Sequence, residues 1–312
     1  MTQRERQILQ WIEQDPMISQ EALAEKAGIT RSSVAVHISN LIKKGYIIGK
    51  GYVLRSGTYA AVVGGVNMDI GGQSDGPLVP GDSNPGRVRI SLGGVGRNIA
   101  HNMALLGLDV RFLTAFGDDL YAQRIAASCG ELGIDISQAL RVPGGSTSTY
   151  LYLNGPDGDM ALAVSDMDIC RKMTPQFLAS RLTLLKGAQL IVADANLPTE
   201  SLRFLADHGA APLFVDPVST VKAEKLRPIL GKIHTLKPNR MEAELLSGVA
   251  ITNEESLRQA AQVLLDTGLR RVFISLGSRG LFAADHRESL LLPCRPAAPV
   301  NATGAGDAFM AG

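Results

Sequence analysis

The sequence predicts an α/β protein in which helices cover both faces of a central, mostly parallel sheet, preceded by a small helical domain. From residue 59 onward, strand-like apolar runs alternate with amphipathic helical segments, as in sheets built with crossover helices. Glycine is abundant, at 33 residues, and aromatic residues make up only 5% of the chain. This combination favours an α/β enzyme over an all-β sandwich. The first 55 residues show only short helical segments and one hairpin-like stretch.

Composition excludes several classes of protein. The 312 residues are 45% apolar and 20% charged, values typical of a globular protein with a large core and not of a disordered chain. The net charge of +1 gives the whole chain little attraction for nucleic acid or membrane surfaces. There is no signal-peptide core, no spanning apolar run and no C-x-x-C spacing. We therefore expect a cytoplasmic protein with no membrane partner.

The first 55 residues predict three helices followed by a hairpin. Ser19 and Thr30 are placed to cap the second and third helices, and Gly28 to end the second. Two strand-like runs around a glycine turn follow at residues 46–54. This order resembles the winged helix-turn-helix domains of bacterial transcription regulators.

The resemblance implies that the third helix enters the major groove of double-stranded DNA. Residues 1–55 carry a net charge of +3, and the rest of the chain carries −2. One such domain would bind weakly, so a dimer presenting two is expected. The alternative is a protein-docking or dimerisation module. The outer face of the third helix offers Arg31, Ser32, Ser33, His37 and Asn40 as DNA-binding candidates.

Residues 56–312 form the predicted α/β domain. Its expected strands are residues 59–66, 110–116, 189–193, 212–215, 233–236 and 271–276. Its expected helices are residues 98–106, 199–208, 240–246 and 254–267. Residues 146–164 break the alternation with two β-like runs around an Asn-Gly-Pro-Asp-Gly turn. An antiparallel hairpin leaving such a domain is typical of a lid or a dimer contact, so a homodimer is expected.

The strongest chemical motif lies near the end of the chain, where Thr-Gly-Ala-Gly-Asp at residues 303–307 precedes a helix-like segment. Glycines at a helix N-terminus let backbone N–H groups point at an anion. A carboxylate there would repel phosphate, so Asp307 is better explained as a base that deprotonates an attacking hydroxyl. Phosphoryl transfer needs these two parts, charge stabilisation and a positioned base.

This motif resembles the second signature of the ribokinase/PfkB carbohydrate kinases, and the resemblance extends from about residue 59 to the end. It implies a ribokinase-like three-layer fold with a small β lid, ATP as cofactor, and Asp307 as the catalytic base. The anion hole and part of the ATP site would be built by Gly304, Ala305, Gly306 and Thr303.

Two further stretches resemble the family's sugar-binding motifs. Residues 91–100 contain a Gly-Gly turn before a helix, and the Asn98 amide offers the donor and acceptor that a vicinal diol requires. Residues 64–69 are expected at the end of the first body strand, where open α/β sheets bind ligands. A turn role is the alternative for Asn67. The substrate-binding residues implied are Asn67, Asp69, Gly93, Gly94 and Asn98.

The nucleotide side has weaker motifs. Asn239 and Glu242 are similar to the family's Asn-x-x-Glu motif, which would hold Mg²⁺ and the phosphates through water. The alternative is a helix-capping pair. Gly277 and Gly280 resemble the family's nucleotide-binding turn, so these glycines and Asn239 are implied to contact ATP. Asp216 is expected either near the phosphates or as a helix N-cap.

Two departures from the family pattern carry expectations of their own. Asn301 stands where the family commonly has Asp, and a neutral side chain attracts a monovalent cation less, which leaves K⁺ activation open. Family members usually continue for several dozen residues, whereas this sequence ends at Gly312. We expect a C-terminally truncated chain whose last helix depends on tertiary support.

The substrate is expected to be a sugar or nucleoside. Residues 81–86 and 93–100 particularly resemble pseudouridine kinases, which implies phosphorylation of a nucleoside 5′-hydroxyl. Ribokinase-like and fructokinase-like relatives share the same hydroxyl-binding residues. The alternative function is a transcription regulator that uses the kinase-like domain as a sugar or nucleoside sensor.

Overall fold

The computed structural model describes residues 1–47, 58–294 and 304–312. The chain divides into two compact units, Met1–Gly57 and Thr58–Gly312. Among the described residues, no helix is long and apolar enough to cross a membrane. The predicted hairpin of the first unit begins at Tyr46 and Ile47 and otherwise lies outside the described residues.

The first unit contains helices α1 (Gln3–Gln14), α2 (Gln20–Ala27) and α3 (Arg31–Lys43). Each N-terminus is capped locally, because the side chains of Thr2, Ser19 and Thr30 accept hydrogen bonds from backbone N–H groups of the first turn. Gly28 ends α2 in the left-handed conformation at φ 63°. The apolar faces meet in one small core formed by Ile8, Ile12, Ile18, Leu23, Val34, Ile38, Leu41 and Ile47.

The second unit is built on an eight-stranded sheet. Its strands in chain order are β1 (Tyr59–Val63), β4 (Asp109–Leu113), β9 (Leu190–Asp194), β10 (Leu213–Asp216), β11 (Thr235–Leu236), β12 (Arg271–Ser275), β13 (Leu281–Asp285) and β14 (Ser289–Leu292). Their spatial order is β14-β13-β12-β11-β10-β9-β1-β4, antiparallel only at the β12-β13-β14 edge. The predicted central, mostly parallel sheet is therefore confirmed.

Helices pack against both faces of this sheet. Along β1, Ala61 and Val63 enter one apolar cluster while Ala60 and Val62 enter the other. The α-helices of this unit are α4 (Val95–Leu105), α5 (Leu120–Glu131), α6 (Pro175–Ala179), α7 (Leu182–Gly187), α8 (Thr199–His208), α9 (Thr220–Ala223), α10 (Arg240–Ser247), α11 (Glu254–Asp266) and α12 (Ala305–Ala311). A two-stranded pair, β5 (Ala115–Phe116) and β6 (Leu140–Arg141), lies apart from the main sheet.

A second sheet forms the lid and contains two strands more than the sequence predicted. The expected hairpin is present as β7 (Thr149–Asn154) and β8 (Met160–Asp166). It extends a sheet that also holds β2 (Asn67–Ser74) and β3 (Gly86–Gly93), in the order β3-β2-β7-β8. Residues 87–92 alternate polar and apolar side chains, a signal that could have found β3.

The prediction that residues 64–69 end the first body strand is wrong. Strand β1 stops at Val63, and the chain turns through Gly64 and Gly65 before Asn67 begins β2. Packing requires glycine at position 64, because a Cβ there would lie 2.4 Å from a carboxylate oxygen of Asp194. Asn67 and Asp69 consequently belong to the lid, and the alternative of Asn67 as a turn residue is also wrong.

Candidate active site

The site lies at the carboxyl edge of the parallel strands, where β9, β10 and β11 end in polar residues. Asp194 and Asp216 are the last residues of β9 and β10, and Lys237 follows β11. All three side chains are buried. Ligands of open α/β sheets bind at this edge.

Asp194 connects the lid entry, which is the turn at Gly64 and Gly65 before β2, to the start of α4. One carboxylate oxygen accepts hydrogen bonds from the Gly65 and Gly96 N–H groups at 2.8 Å each, and the other accepts from Asn196 N–H at 2.9 Å. Burial raises the pKa of this carboxyl group against those bonds. Sequence reasoning missed Asp194, because only the fold brings its partners together across 98 and 129 residues.

The sugar-binding candidates meet where β2, β3 and α4 converge. The Asn67 amide donates to Asp69 Oδ1 at 2.6 Å. Gly93 faces the Asp69 carboxylate so closely that a Cβ would lie 2.3 Å from Oδ2. Gly94 has φ 96°, and a Cβ there would lie 2.6 Å from Gly65 O. Both glycines are therefore required by close approach, which brings the Asp69 carboxylate against the start of α4.

Asp307 lies on the first turn of α12 and contacts α4. The Asn98 Nδ2 donates to Asp307 Oδ2 at 2.8 Å across a separation of 209 residues. Burial raises the pKa of Asp307 to about 6, and the Asn98 hydrogen bond opposes that rise. At pH 7 the carboxyl group is thus mostly ionised and able to accept a proton.

The glycines before Asp307 lie close to the same groups. Gly304 adopts φ 81° and precedes α12, and a Cβ on it would lie 3.9 Å from Asn98 Nδ2. A Cβ on Gly306 would lie 3.1 Å from Lys237 Nζ. Ala305 is the first helical residue and is exposed. Thr303 and Asn301 lie outside the described residues.

Lys237 is a second site residue that was not predicted from the sequence, although it lies two residues before Asn239 of the Asn-x-x-Glu motif. Its ammonium lies 3.0 Å from Asp216 Oδ2, and both side chains are buried. The other Asp216 oxygen accepts from Val218 N–H at 2.8 Å. The N-cap alternative for Asp216 is wrong, since Ser219 caps α9. The buried Lys237 ammonium lies near Gly306, where an anionic group would approach the start of α12.

The nucleotide-side candidates lie together along the same edge. Asn239 and Glu242 form the capping box of α10: the Asn239 side chain accepts from Glu242 N–H at 2.9 Å, and Glu242 Oε2 accepts from Asn239 N–H at 2.8 Å. Ser275 N–H donates to Pro238 O at 2.9 Å, which brings this segment beside the Gly277 turn after β12. Gly277 adopts φ 61° and Gly280 φ 101°.

The capping alternative for Asn239 and Glu242 is thus present, and it leaves Glu242 Oε1 outside the box. Burial raises the pKa of Glu242. Among residues 1–47, 58–294 and 304–312, no three His, Cys, Asp or Glu side chains cluster as a metal site. The oxygen atoms of Asn239 and Glu242 are donors of the kind that magnesium prefers, often through its bound waters.

An open cleft of about 480 Å³ joins the sugar-binding candidates to the start of α12. This volume is in the range of small-molecule sites. Its lining includes Asp69, Ser91, Arg97, Asn98, His101 and Gly304. Asn239, Gly277 and Gly280 are not among its lining residues. We refer to the candidates around this cleft and Asp307 as the sugar side, and to those around α10 and the Gly277 turn as the nucleotide side.

In the first unit, the DNA-binding candidates occupy the outer face of α3. Arg31 is exposed and pairs with Glu21 at 2.9 Å. The hydroxyls of Ser32 and Ser33 each lie 2.9 Å from the Thr30 hydroxyl. His37 and Asn40, one and two turns further along, are half-buried.

Comparison with known proteins places both units. Residues 58–312 match the family model described as pfkB family carbohydrate kinase, and residues 1–48 match the one described as winged helix-turn-helix DNA-binding. The uncharacterized sugar kinase YeiI of Escherichia coli (strain K12) is 41% identical over 100% of this chain and 87% of its own. The pseudouridine kinase of the same organism is 41% identical, covering 83% of each chain.

A solved structure of Arabidopsis thaliana ribokinase, complexed with ribose and ATP, superposes with a TM-score of 0.72 at 23% identity, covering 82% of this chain and 84% of that one. This likeness shows the ribokinase-like fold. The chain carries a winged helix-turn-helix at its N-terminus and belongs to the pfkB family of ATP-using carbohydrate kinases.

Proposed function

We propose that this kinase transfers the γ-phosphoryl group of ATP to the 5′-hydroxyl of a nucleoside, with pseudouridine as the first candidate. The observation that carries the proposal is the Asn98–Asp307 hydrogen bond at 2.8 Å, beside a cleft that Asp69 also lines. It supports Asp307 as the base for a sugar held by Asp69, because Asn98 both bonds to Asp307 and lines that cleft. The 41% identity to a protein named pseudouridine kinase supports a nucleoside over a free sugar.

The sugar-side residues bind and deprotonate the acceptor. Asp69, held by Asn67, accepts hydrogen bonds from ring hydroxyls, and Gly93 and Gly94 let the ring approach the backbone. Asp307 takes the proton of the attacking hydroxyl as the new O–P bond forms, while the bond between the γ-phosphorus and the β–γ bridging oxygen breaks and ADP leaves. Such a positioned base contributes roughly 10²–10⁴-fold to the rate.

The groups around α12 stabilise the charge of the moving phosphoryl group. The N–H groups of Gly304, Ala305 and Gly306 begin a helix and have no intrahelical acceptor. Lys237 adds a buried positive charge beside Gly306. Together they act as the anion hole of the transfer.

Asn239, Gly277 and Gly280, with Thr303, form the proposed nucleotide side. Glu242 and Asn239 would hold the waters of a magnesium ion, which when bound neutralises phosphate charge. The capping box keeps both side chains at the start of α10, so the ion's water shell would meet a rigid pair.

The first test is ADP release from MgATP with a panel of pseudouridine, uridine, inosine, ribose and fructose. Turnover with a nucleoside at a kcat/KM at least tenfold above that with ribose supports the proposal. Preference for ribose or fructose contradicts the nucleoside assignment and leaves the family assignment standing.

We also propose a homodimer formed through the outer face of the lid. The strand register puts Ile90, Ile70, Leu151 and Val164 in one row on one face of the lid sheet. The next row on that face holds Val88, Leu153 and Leu162, and all of these except Ile70 are exposed. A continuous apolar sheet face of this kind is typical of a protein interface.

Sedimentation velocity tests the dimer. Leu162→Glu should shift the chain to monomer, while the matched control Ser165→Glu, on the same strand but the opposite face, should leave a dimer. A wild-type monomer, or dimers in both variants, contradicts this interface.

A second function is proposed from the first unit: residues 1–55 bind double-stranded DNA, and the kinase domain, residues 56–312, acts as a nucleoside sensor. The exposed Arg31, Ser32 and Ser33 and the half-buried His37 and Asn40 on the same helix support it, together with the family match of residues 1–48. Selection from a random duplex pool tests it. Enriched sequences that lose binding in Asn40→Ala and respond to pseudouridine support regulation, whereas binding that ignores sequence contradicts it.

A further inference from the structure

Arg97 lines the cleft together with Asp69 and Asn98, and none of the roles above involves it. Its backbone is held at the start of α4, where its N–H donates to Gly65 O at 3.2 Å. Its side chain is half-buried and lines the cleft. One guanidinium nitrogen donates to the Ser128 hydroxyl on α5 at 3.2 Å, and another to Asn98 Oδ1 at 3.4 Å.

The Asn98 carboxamide therefore lies between the Arg97 guanidinium, which can only donate hydrogen bonds, and the Asp307 carboxylate. Its Oδ1 faces Arg97, and its Nδ2 donates to Asp307 Oδ2. A carboxamide can rotate to exchange its oxygen and nitrogen, and the reversed orientation would set Oδ1 against the Asp307 carboxylate. A guanidinium has no acceptor, so it opposes that reversal. Because Nδ2 carries two hydrogens, one remains for a sugar hydroxyl.

We propose that Arg97 is a positioning residue, which holds the Asn98 carboxamide with its N–H toward Asp307 and supplies the positive charge that faces Asp69. Arg97 would then couple the group that binds the sugar to the base that deprotonates it. The inference rests on the proposed function only in taking Asp307 as the base.

The electrostatic surroundings support this arrangement. Among the described residues, the charged groups acting on Asp307 are Asp216 and Asp194, which favour its protonation, and Lys237, which opposes it. The Asn98 hydrogen bond has a larger effect on the pKa of Asp307 than any of these charges. Burial raises the pKa of Asp69, and the Asn67 hydrogen bond and the Arg97 charge oppose that rise. The other titratable groups near Arg97 are His101 on α4 and Cys129 on α5.

Two substitutions separate positioning from packing. In Arg97→Lys the side chain keeps only donors, so Asn98 stays oriented. In Arg97→Gln the amide can donate or accept, so it accommodates either orientation of Asn98. The kcat–pH profile is measured with MgATP and pseudouridine (or ribose, should it be the better acceptor). We expect its acid limb to move up by about half a pH unit or more in Arg97→Gln. In Arg97→Lys the acid limb should stay within about a few tenths of a pH unit of the wild-type position.

Ser128→Ala is the matched control, because it removes the other contact of the guanidinium and leaves the charge in place. It should lower the melting temperature slightly without moving the acid limb. Equal shifts in Arg97→Gln and Arg97→Lys, or a shift in neither, would overturn the proposal, since a structural role alone does not distinguish these side chains.

A double-substitution cycle tests the route through Asn98. In an Asn98→Ala background, Arg97→Gln should move the acid limb no further, whereas an additive shift would show that Arg97 acts independently of Asn98 and overturn the proposal. Should Asn98→Ala lack turnover, Asn98→Ser replaces it in the cycle. Asp307→Asn distinguishes a failure of the proposed function from a failure of the proposed role of Arg97. Turnover in that variant contradicts Asp307 as the base. Loss of turnover in that variant, together with an unmoved pH profile in Arg97→Gln, contradicts only the role of Arg97.

Discussion

The sugar side and the nucleotide side of the candidate site are built by different kinds of contact. On the sugar side, Asn98 and Asp307 meet across 209 residues, and Asp194 joins segments 98 and 129 residues away. On the nucleotide side, Asn239 and Glu242 bond to each other three residues apart. The groups proposed to exchange protons with the sugar thus depend on tertiary packing, whereas the groups proposed to hold magnesium are oriented by one helix N-terminus.

The largest effect is expected from Asp307→Asn. The amide cannot accept the proton of the attacking hydroxyl, so kcat should fall by about 10²–10⁴-fold while the affinity for the sugar changes little. ADP release and equilibrium binding of pseudouridine measure the two quantities. Asp109→Asn, an exposed residue at the amino end of β4, is the control and should keep wild-type turnover.

Asp69→Asn should have the next largest effect. Losing a charge-assisted hydrogen bond to a sugar hydroxyl costs about 1.5–3 kcal/mol, so KM for the acceptor should rise roughly 10–100-fold. The KM for ATP should stay near wild type, because Asp69 lies on the lid and away from the Gly277 turn. Equal increases in both KM values would contradict the division into two sides.

Glu242→Gln separates the two roles of the capping box. Glutamine also forms this box, so the melting temperature should remain close to that of wild type. Loss of the charge should raise the magnesium concentration needed for half-maximal turnover by roughly tenfold. Glu242→Ala, which removes the cap as well, should raise the magnesium requirement and also lower the melting temperature. An unchanged magnesium requirement in Glu242→Gln would assign this residue to the cap alone.

The smallest effect concerns the first unit, where Glu5 combines a local and a long-range contact. It completes the capping box with Thr2 and pairs with Lys44 at 2.7 Å, 39 residues away. The Lys44 hydrogen bond is the main reason why the pKa of Glu5 falls from 4.5 to about 2. Because the folded-state pKa is the lower one, this stabilisation is present above pH 4.5 and is lost as pH falls toward 2.

In Glu5→Gln the capping box remains and the ion pair is lost, so this part of the pH dependence should disappear. Trp11, the only tryptophan of the sequence, lies on α1 and reports unfolding of the first unit in the full chain. Urea titrations of its fluorescence at pH 6 and pH 3.5 measure the change. Equal pH dependence in wild type and variant would mean that other carboxylates set the acid response.

Much of the fold followed from local patterns. Ser19, Thr30 and Gly28 mark helix ends through bonds within a few residues, and the structure has them as predicted. The α8 bounds, Thr199–His208, agree residue by residue with the prediction. Strand β2 did not follow, because its two central glycines give no period-two pattern, and its partner β3 lies twelve or more residues away along the chain.

Sequence by itself determined the family-level pattern: a winged helix-turn-helix, an alternating α/β domain, and motifs ending in Asp307. These features depend on helix caps, glycine turns and hydrophobic periodicity. Each of these involves residues that lie close together in the sequence, so the sequence alone reveals them. Only the tertiary structure decided that Asp69 belongs to the lid, that Asp194 joins the lid entry to α4, and that Lys237 pairs with Asp216 beneath Gly306. Such contacts depend on which strand ends lie side by side, which no local spacing encodes.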